Sequence, residues 1–331
     1  MAETTRVRPA PAAGDEPPAR RRSRFDADWL RRNGVYVALA LIVVVNLVIT
    51  PFFATGTNLR LQLVQVAPVV VVSLGMALVI GTKGIDLSVG AVMAMAAALV
   101  PLYIGYGTVG AIGVGLVAGV VSGLLAGTLV ARVGVQPIVA TLGIMVAGRG
   151  LAIVMGGGIK SIRDDGFRAL GTGGVLGIPF TVLIAAVLTL LIAFVVRRTT
   201  FGRQLLAIGG NTRASELAGL PVKRVLTTAY VLSGTLAATA GIMLTARSQA
   251  SDPTKLGLLI ELSAITAVVV GGTPLSGGQV RIAGTVAGAL LMQLITSTLI
   301  AHDIPDSIAQ MVQAAIVIAA VYIQLGRRRR T

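Results

Sequence analysis

Residues 61–100 read LQLVQVAPVVVVSLGMALVIGTKGIDLSVGAVMAMAAALV: two long apolar runs divided by GTKGIDLSVG, which holds a Lys, an Asp and three glycines. Neither run alternates polar and apolar residues with a period of two. Each has about the 20 residues that a helix rising 1.5 Å per residue needs to cross about 30 Å of hydrocarbon. In lipid every backbone N–H and C=O must be bonded internally, so such runs become helices rather than open sheet. The same signature recurs along the chain. Candidate spans fall at about 35–53, 62–80, 86–106, 109–130, 136–156, 178–196, 225–245, 257–272, 282–300 and 307–325. The expected class is all-α, a polytopic membrane protein of about ten transmembrane helices in one bundle.

Composition agrees. Of 331 residues 55% are hydrophobic and only 12% charged, against about 25% charged in soluble domains. The absence of cysteine excludes disulfides, cysteine-ligated zinc or iron–sulfur sites, and thiol catalysis. A single His and few acids leave little from which to build a metal site or a Ser–His–Asp triad. The net charge of +15 invites a nucleic-acid reading, but the basic residues punctuate apolar segments and no aromatic stacking platform accompanies them. No nucleic-acid partner is expected.

The positions of the charges give a topology. Eight Lys/Arg lie in the first 34 residues, six between Arg197 and Arg224, and four in the terminal run Arg327–Arg330. With the N-terminus inside, inward segments hold twenty-one basic residues and outward segments six. That bias is the positive-inside pattern and places both termini in the cytoplasm. Residues 1–34, rich in Pro, Ala, Arg and acids without an apolar run, read as a disordered cytoplasmic tail. Residues 35–326 form the transmembrane domain, with a cytoplasmic loop at 197–224, and 327–331 a basic C-tail.

Four features carry candidate chemistry. In GTKGIDLSVG (81–90) Asp86 is costly in lipid and belongs in the bundle interior or at its cytoplasmic mouth, where a broken helix lines a cavity. The same spacing fits a tight turn in which Asp86 or Ser88 caps the following helix. GGTPLSGG (271–278), with Thr273 and Ser276, follows a short apolar run that begins near Glu261. It reads either as an interruption on a transport pathway or as a Gly-rich turn. Arg149 is the most deeply placed charge and demands a partner, for which Asp86 and Glu261 are the available acids. In the loop 197–224, Asn211 is suited to cap a helix over Thr212–Ala218, Gly219 to stop it, and Pro221 to bar its continuation. Ala214, Leu217 and Ala218 then share an apolar face flanked by Arg213 and Glu216, fit for a partner's groove or for lipid-surface packing.

Three apparent signals fail. Gly105, Gly107 and Gly110 fit GxGxxG but follow no strand, so no dinucleotide site is expected. No Gly-Lys pair exists, so this chain lacks a phosphate-cradling P-loop. His302 is a lone loop residue without companion ligands. Gly115, Gly119, Gly123 and Gly127, like Gly284 and Gly288, recur every fourth residue and predict close helix packing.

Four stretches resemble the permease subunits of ribose-type sugar ABC importers: GIDLSVGAVMA (84–94), VQPIVATLGIMVAGRGLA (135–152), AIGGNTRASELAGLPVKRV (207–225) and ELSAITAVVVGGTPLSGGQVRIAGTVAGALL (261–291). The resemblance spans about residues 35–326, and the fifth-span wording and 293–298 look most like galactofuranose-type permeases. It implies a bacterial inner-membrane transport subunit rather than an enzyme, with no cofactor of its own. ATP and Mg would be bound by a partner ATPase contacted through Asn211, Arg213, Glu216, Leu217 and Gly219. It also implies a periplasmic or lipid-anchored sugar-binding protein and a second permease chain, either a copy or a relative, within membrane lipid. Asp86, Ser88, Arg149, Glu261, Thr273 and Ser276 are the expected pathway or gate residues. The chain departs from the family at Lys83, where Gly is usual, and at Ser263, where an acid usually follows Glu261; its coupling segment also lacks the EAA-x3-G spacing of other ABC permeases, a form not typical of this family either. The competing reading is an ion-coupled secondary transporter with Asp86, Arg149 and Glu261 as a relay.

Overall fold

Each apolar run folds into a helix because its apolar atoms are stable in lipid and its backbone groups bond within the segment. The computed structural model describes residues 27–305 and, beyond them, 307, 308, 310–312, 314–316 and 318. Among these the helices are α1 (Ala27–Ile49), α2 (Gly56–Gly81), α3 (Val89–Tyr103), α4 (Thr108–Thr128), α5 (Pro137–Gly156), α6 (Asp165–Thr172), α7 (Phe180–Arg198), α8 (Thr200–Gly210), α9 (Thr212–Leu217), α10 (Val222–Ser248), α11 (Ile260–Val270) and α12 (Ile282–Ala301). Four two-residue strands pair antiparallel as β1 (Lys160–Ser161) with β4 (Ala250–Ser251), and β2 (Gly174–Val175) with β3 (Ile178–Pro179).

Among the described residues seven helices are long and apolar enough to cross a membrane: α2, α3, α4, α5, α7, α10 and α12. The apolar parts of α1, over Asn33–Ile49, and of α11 are shorter. The expected tenth span, 307–325, lies for the most part outside the described residues. The chain is thus an all-α, multi-pass membrane protein. Two boundaries move: the expected span 86–106 begins its helix only at Val89, and 257–272 contracts to α11. Helix α1 starts at Ala27, inside the segment whose composition reads as a disordered tail; residues 1–26 lie outside the described ones.

Helices α2 and α10 form the centre, with 78% and 72% of their apolar windows buried, whereas α5 and α7 bury 28% and 22% and turn most of their surface outward. The glycine repeat of α4 explains how α10 reaches that centre. A Cβ on Gly119 would sit 2.5 Å from Gly234 O, and one on Gly123 would sit 2.4 Å from Tyr230 O. The two backbones are therefore in direct contact, as small residues every fourth position permit. Gly284 and Gly288 perform the same service for α12 against Gly271 and Ala267 of the α11 segment.

Short polar devices close the connections. Asp164 accepts the Phe167 N–H at 2.8 Å to cap α6 and also takes the Thr108 hydroxyl, tying this connection to the start of α4. The Thr108 hydroxyl, then the Phe167 N–H, hold the Asp164 carboxyl below its usual range. A depressed native value means the cap's contribution is complete above the ordinary carboxylate pKa and is lost as pH falls through the depressed one. Hydrogen exchange of the α6 amides is expected to stay flat in opening free energy from pH 8 to 5; a rise in opening within that window would show that the cap is not held by an ionised carboxylate.

Candidate functional site

Two segments of irregular backbone enter the bundle, one leading into the first turn of α3 and the other packed against it. The first lies between α2 and α3. There Thr141 on α5 accepts the Leu87 N–H at 3.1 Å, and Asp86 is 1% exposed. Asp86 Oδ1 accepts the Ser88 N–H (3.0 Å) and hydroxyl (2.6 Å), while Oδ2 accepts the Ser233 hydroxyl of α10 at 2.8 Å. The turn and the interior-facing acid are therefore one structure. Ser88 stands at the N-cap of α3 but spends its hydroxyl on Asp86 and makes no side-chain cap bond.

The second irregular segment, 252–259, runs between β4 and α11. Its carbonyls converge on Arg149: Pro253 O at 3.2 Å, Leu256 O at 2.6 Å and Gly257 O at 3.1 Å. Non-helical backbone within a membrane bundle leaves acceptors without partners, and a guanidinium with five donors in a fixed fork satisfies several at once. This segment and the start of α11 press on the first turn of α3 at Gly90, where a Cβ would lie 2.3 Å from Gly257 O and 2.6 Å from Glu261 Oε2. Glu261 Oε2 is buried without a hydrogen-bond partner. Among the described residues, the hydrogen bonds of Asp86 go to serines and those of Arg149 to carbonyls, so the structure does not string Asp86, Arg149 and Glu261 into a chain of ion pairs.

Farther along the bundle lies a cavity of about 440 Å³ between α1, α2, α10 and α12. Three helices place it at the end away from the basic loop: it takes the start of α2, the last turns of α10 and the second half of α12. Its walls carry the amides of Asn46, Asn58, Gln62, Gln65 and Gln293, with Arg247 and Phe53. Gln293 Nε2 donates to Gln65 Oε1 at 2.7 Å and to Gln62 Oε1 at 3.4 Å, joining α12 to α2. None of these was among the candidate site residues read from sequence, although Gln293 opens the stretch 293–298. The signal was present, since amide side chains inside apolar spans are rare unless they face the bundle interior, but it carried no charge.

At the basic end, Asn211 Oδ1 accepts the Ala214 N–H at 3.0 Å to cap α9, Gly219 has φ +76°, and Pro221 precedes α10. Arg213 and Glu216 pair at 3.3 Å on its exposed side. Ala214, Leu217 and Ala218 are exposed, Leu217 by 76%, and Ser215 turns inward. The sequence reading missed α8, because Gly202, Gly209 and Gly210 look like loop residues. Gly209 is instead a contact: a Cβ there would fall 1.8 Å from Gly81 O and 2.6 Å from Gly278 N. Gly278 N–H donates to Gly81 O at 3.0 Å, and Lys83 Nζ to Gly210 O at 3.1 Å. Three segments distant in sequence thus form one junction beneath α9. Thr273 is buried and accepts the Arg281 N–H at 3.0 Å, while Ser276 is exposed; both lie in the 271–281 connection at this junction rather than in the polar cavity. Among the described residues no three His, Asp or Glu side chains gather as a metal group.

Residues 58–321 match the family described as branched-chain amino acid transport system / permease component. The galactofuranose transporter permease protein of Escherichia coli is 37% identical over 88% of this chain and 89% of its own length. The ribose import permease protein of Bacillus subtilis is 37% identical over 92% and 95%, and the fructose import permease protein of Bifidobacterium longum 35% over 80% and 76%. No solved structure matches the chain. These relatives favour a permease subunit over an ion-coupled transporter with its own relay. The chain belongs to this permease-component family and is a multi-pass membrane transport subunit, not an enzyme.

Proposed function

We propose that this chain is the membrane-spanning permease of an ABC importer for a monosaccharide, working in the bacterial cytoplasmic membrane. In this reading the basic end faces the cytoplasm, the chain crosses ten times, and both termini are cytoplasmic. A sugar-binding protein delivers substrate on the opposite side. A second permease chain, a copy or a relative, completes the pathway, and ATP and Mg are handled by a partner ATPase. The sugar assignment is supported by relatives that carry ribose, galactofuranose and fructose in their names.

The observation that carries the coupling role is α9, a capped helix with an unpartnered apolar face at the basic end. Leu217 would enter the ATPase groove while Arg213 and Glu216 set its register, with Asn211 and Gly219 fixing the ends of the helix. Movement of α9 would reach the Asp86 turn through the Gly209–Gly81 contact and the Lys83–Gly210 bond. Asp86, Ser88, Arg149, Glu261, Thr273 and Ser276 would then be gate or support residues acting on the pathway.

The test is a mild-detergent pull-down of the tagged chain from its native membrane. Leu217→Asp, and separately the exchange Arg213→Glu with Glu216→Arg, are expected to reduce the co-purifying ATPase at least about tenfold, equivalent to about 1.4 kcal/mol of binding. Membrane insertion should be unchanged. Normal ATPase recovery and uptake in both variants would remove α9 from the coupling role.

A further inference from the structure

The polar cavity between α1, α2, α10 and α12 has the size of a small-molecule site, within the ~300–1,000 Å³ usual for these. Its chemistry selects among ligands. A primary amide presents a donor and an acceptor side by side, which matches a sugar hydroxyl that both gives and takes a hydrogen bond. Five such amides, from Asn46, Asn58, Gln62, Gln65 and Gln293, face one space, and Phe53 adds an apolar face for the C–H side of a sugar ring. No carboxylate stands in the described lining, so the ammonium group of a free amino acid finds no counter-charge there. Arg247, in the last turn of α10, makes no hydrogen bond or ion pair among the described residues. Its guanidinium therefore keeps donors for oxygen atoms entering from the mouth.

From this arrangement we propose that the cavity is a monosaccharide-binding site in the permease itself, in which Gln65 and Gln293 read sugar hydroxyls and Arg247 meets the sugar at the entrance. The proposal rests on the sugar-importer reading and deepens it, because it makes the permease a second point of discrimination after the binding protein. The Gln293–Gln65 bond joins α12 to α2 across this space. A sugar hydroxyl replaces it with two bonds of the same kind, so entry leaves no amide unpaired.

The test uses the whole transporter in cells that lack other uptake routes, supplied with labelled D-ribose, L-arabinose, D-fructose, D-galactose or L-leucine. The double variant Gln65→Leu/Gln293→Leu replaces both partners with apolar groups of similar size, a change that folding tolerates better than removing one. Its maximal uptake of the transported sugar is expected to fall at least about tenfold, the worth of about one hydrogen bond in a barrier. The half-saturating concentration, set by the binding protein, should stay within about twofold of wild type. In parallel, the purified permease–ATPase complex without binding protein should melt at higher temperature in the presence of that sugar, and the double variant should not. Unchanged maximal uptake in a well-inserted double variant, no protection of wild type by the sugar, or protection by glycerol phosphate instead, as for a lipid headgroup, would each overturn the site while leaving the importer reading intact. Uptake of leucine with none of the four sugars would overturn the importer reading itself and the site with it.

Discussion

Gly123→Val is expected to prevent the bundle from assembling. A Cβ at this position would lie 2.4 Å from Tyr230 O and 2.7 Å from Val231 Cα, both backbone atoms of α10 that no rotamer change can move. Overpacking a tight interior costs about 1–3 kcal/mol even where side chains yield. Here the helix must move, so the cost exceeds about 3 kcal/mol. Helix propensity acts in the opposite direction, by about 1 kcal/mol for Gly→Ala, and the comparison decides which effect wins. Gly113, on the same helix, has no atom within 4 Å of its Cβ position, so Gly113→Ala should be neutral or slightly stabilising. Gly123→Ala should already lose folded protein, and Gly123→Val nearly all of it. The measurement is the yield of monodisperse protein in mild detergent and its melting temperature. Equal behaviour of the Gly113 and Gly123 variants would mean that α4 and α10 are not in backbone contact.

Arg149→Met is the second large effect expected. It removes one guanidinium but leaves three carbonyls, those of Pro253, Leu256 and Gly257, without their donor. A buried polar group left unsatisfied costs about 1–3 kcal/mol. Some relaxation toward other donors will occur, so the expected total is about 3–5 kcal/mol. The loss should be local: residues 252–259 become sensitive to protease and uptake falls below detection, while the α4–α10 seam stays protected from hydrogen exchange. Lys in place of Arg keeps the charge but lacks the planar fork, so Arg149→Lys should recover only part of the stability. A Met variant with wild-type melting temperature and an ordered 252–259 segment would show that Arg149 does not organise this backbone.

Much of this architecture follows from apolar length and charge position, which act locally. The apolar runs become helices wherever they sit, because lipid offers the backbone no other partner. Asn211, Gly219 and Pro221 bound α9 through their own stereochemistry, independent of any neighbour. The four-residue glycine interval on α4 announces a close seam, since small residues let backbones approach closely and Gly most of all. What these signals omit is direction. The glycines of α8 look like loop residues until Gly81 O is found against Gly209. Arg149 demands a partner by its charge, and two acids are the obvious candidates, yet among the described residues its hydrogen bonds go to carbonyls of an irregular segment about a hundred residues away. The five amides of the cavity are scattered over three sequence regions and gain a common purpose only when α1, α2 and α12 converge. Sequence alone therefore determined the class of fold, seven of the spans, the seams and the capped α9, all of which depend on residues close along the chain. Tertiary structure alone decided which polar groups meet, because a polar group inside a bundle bonds to whatever the packing of helices brings within about 3 Å.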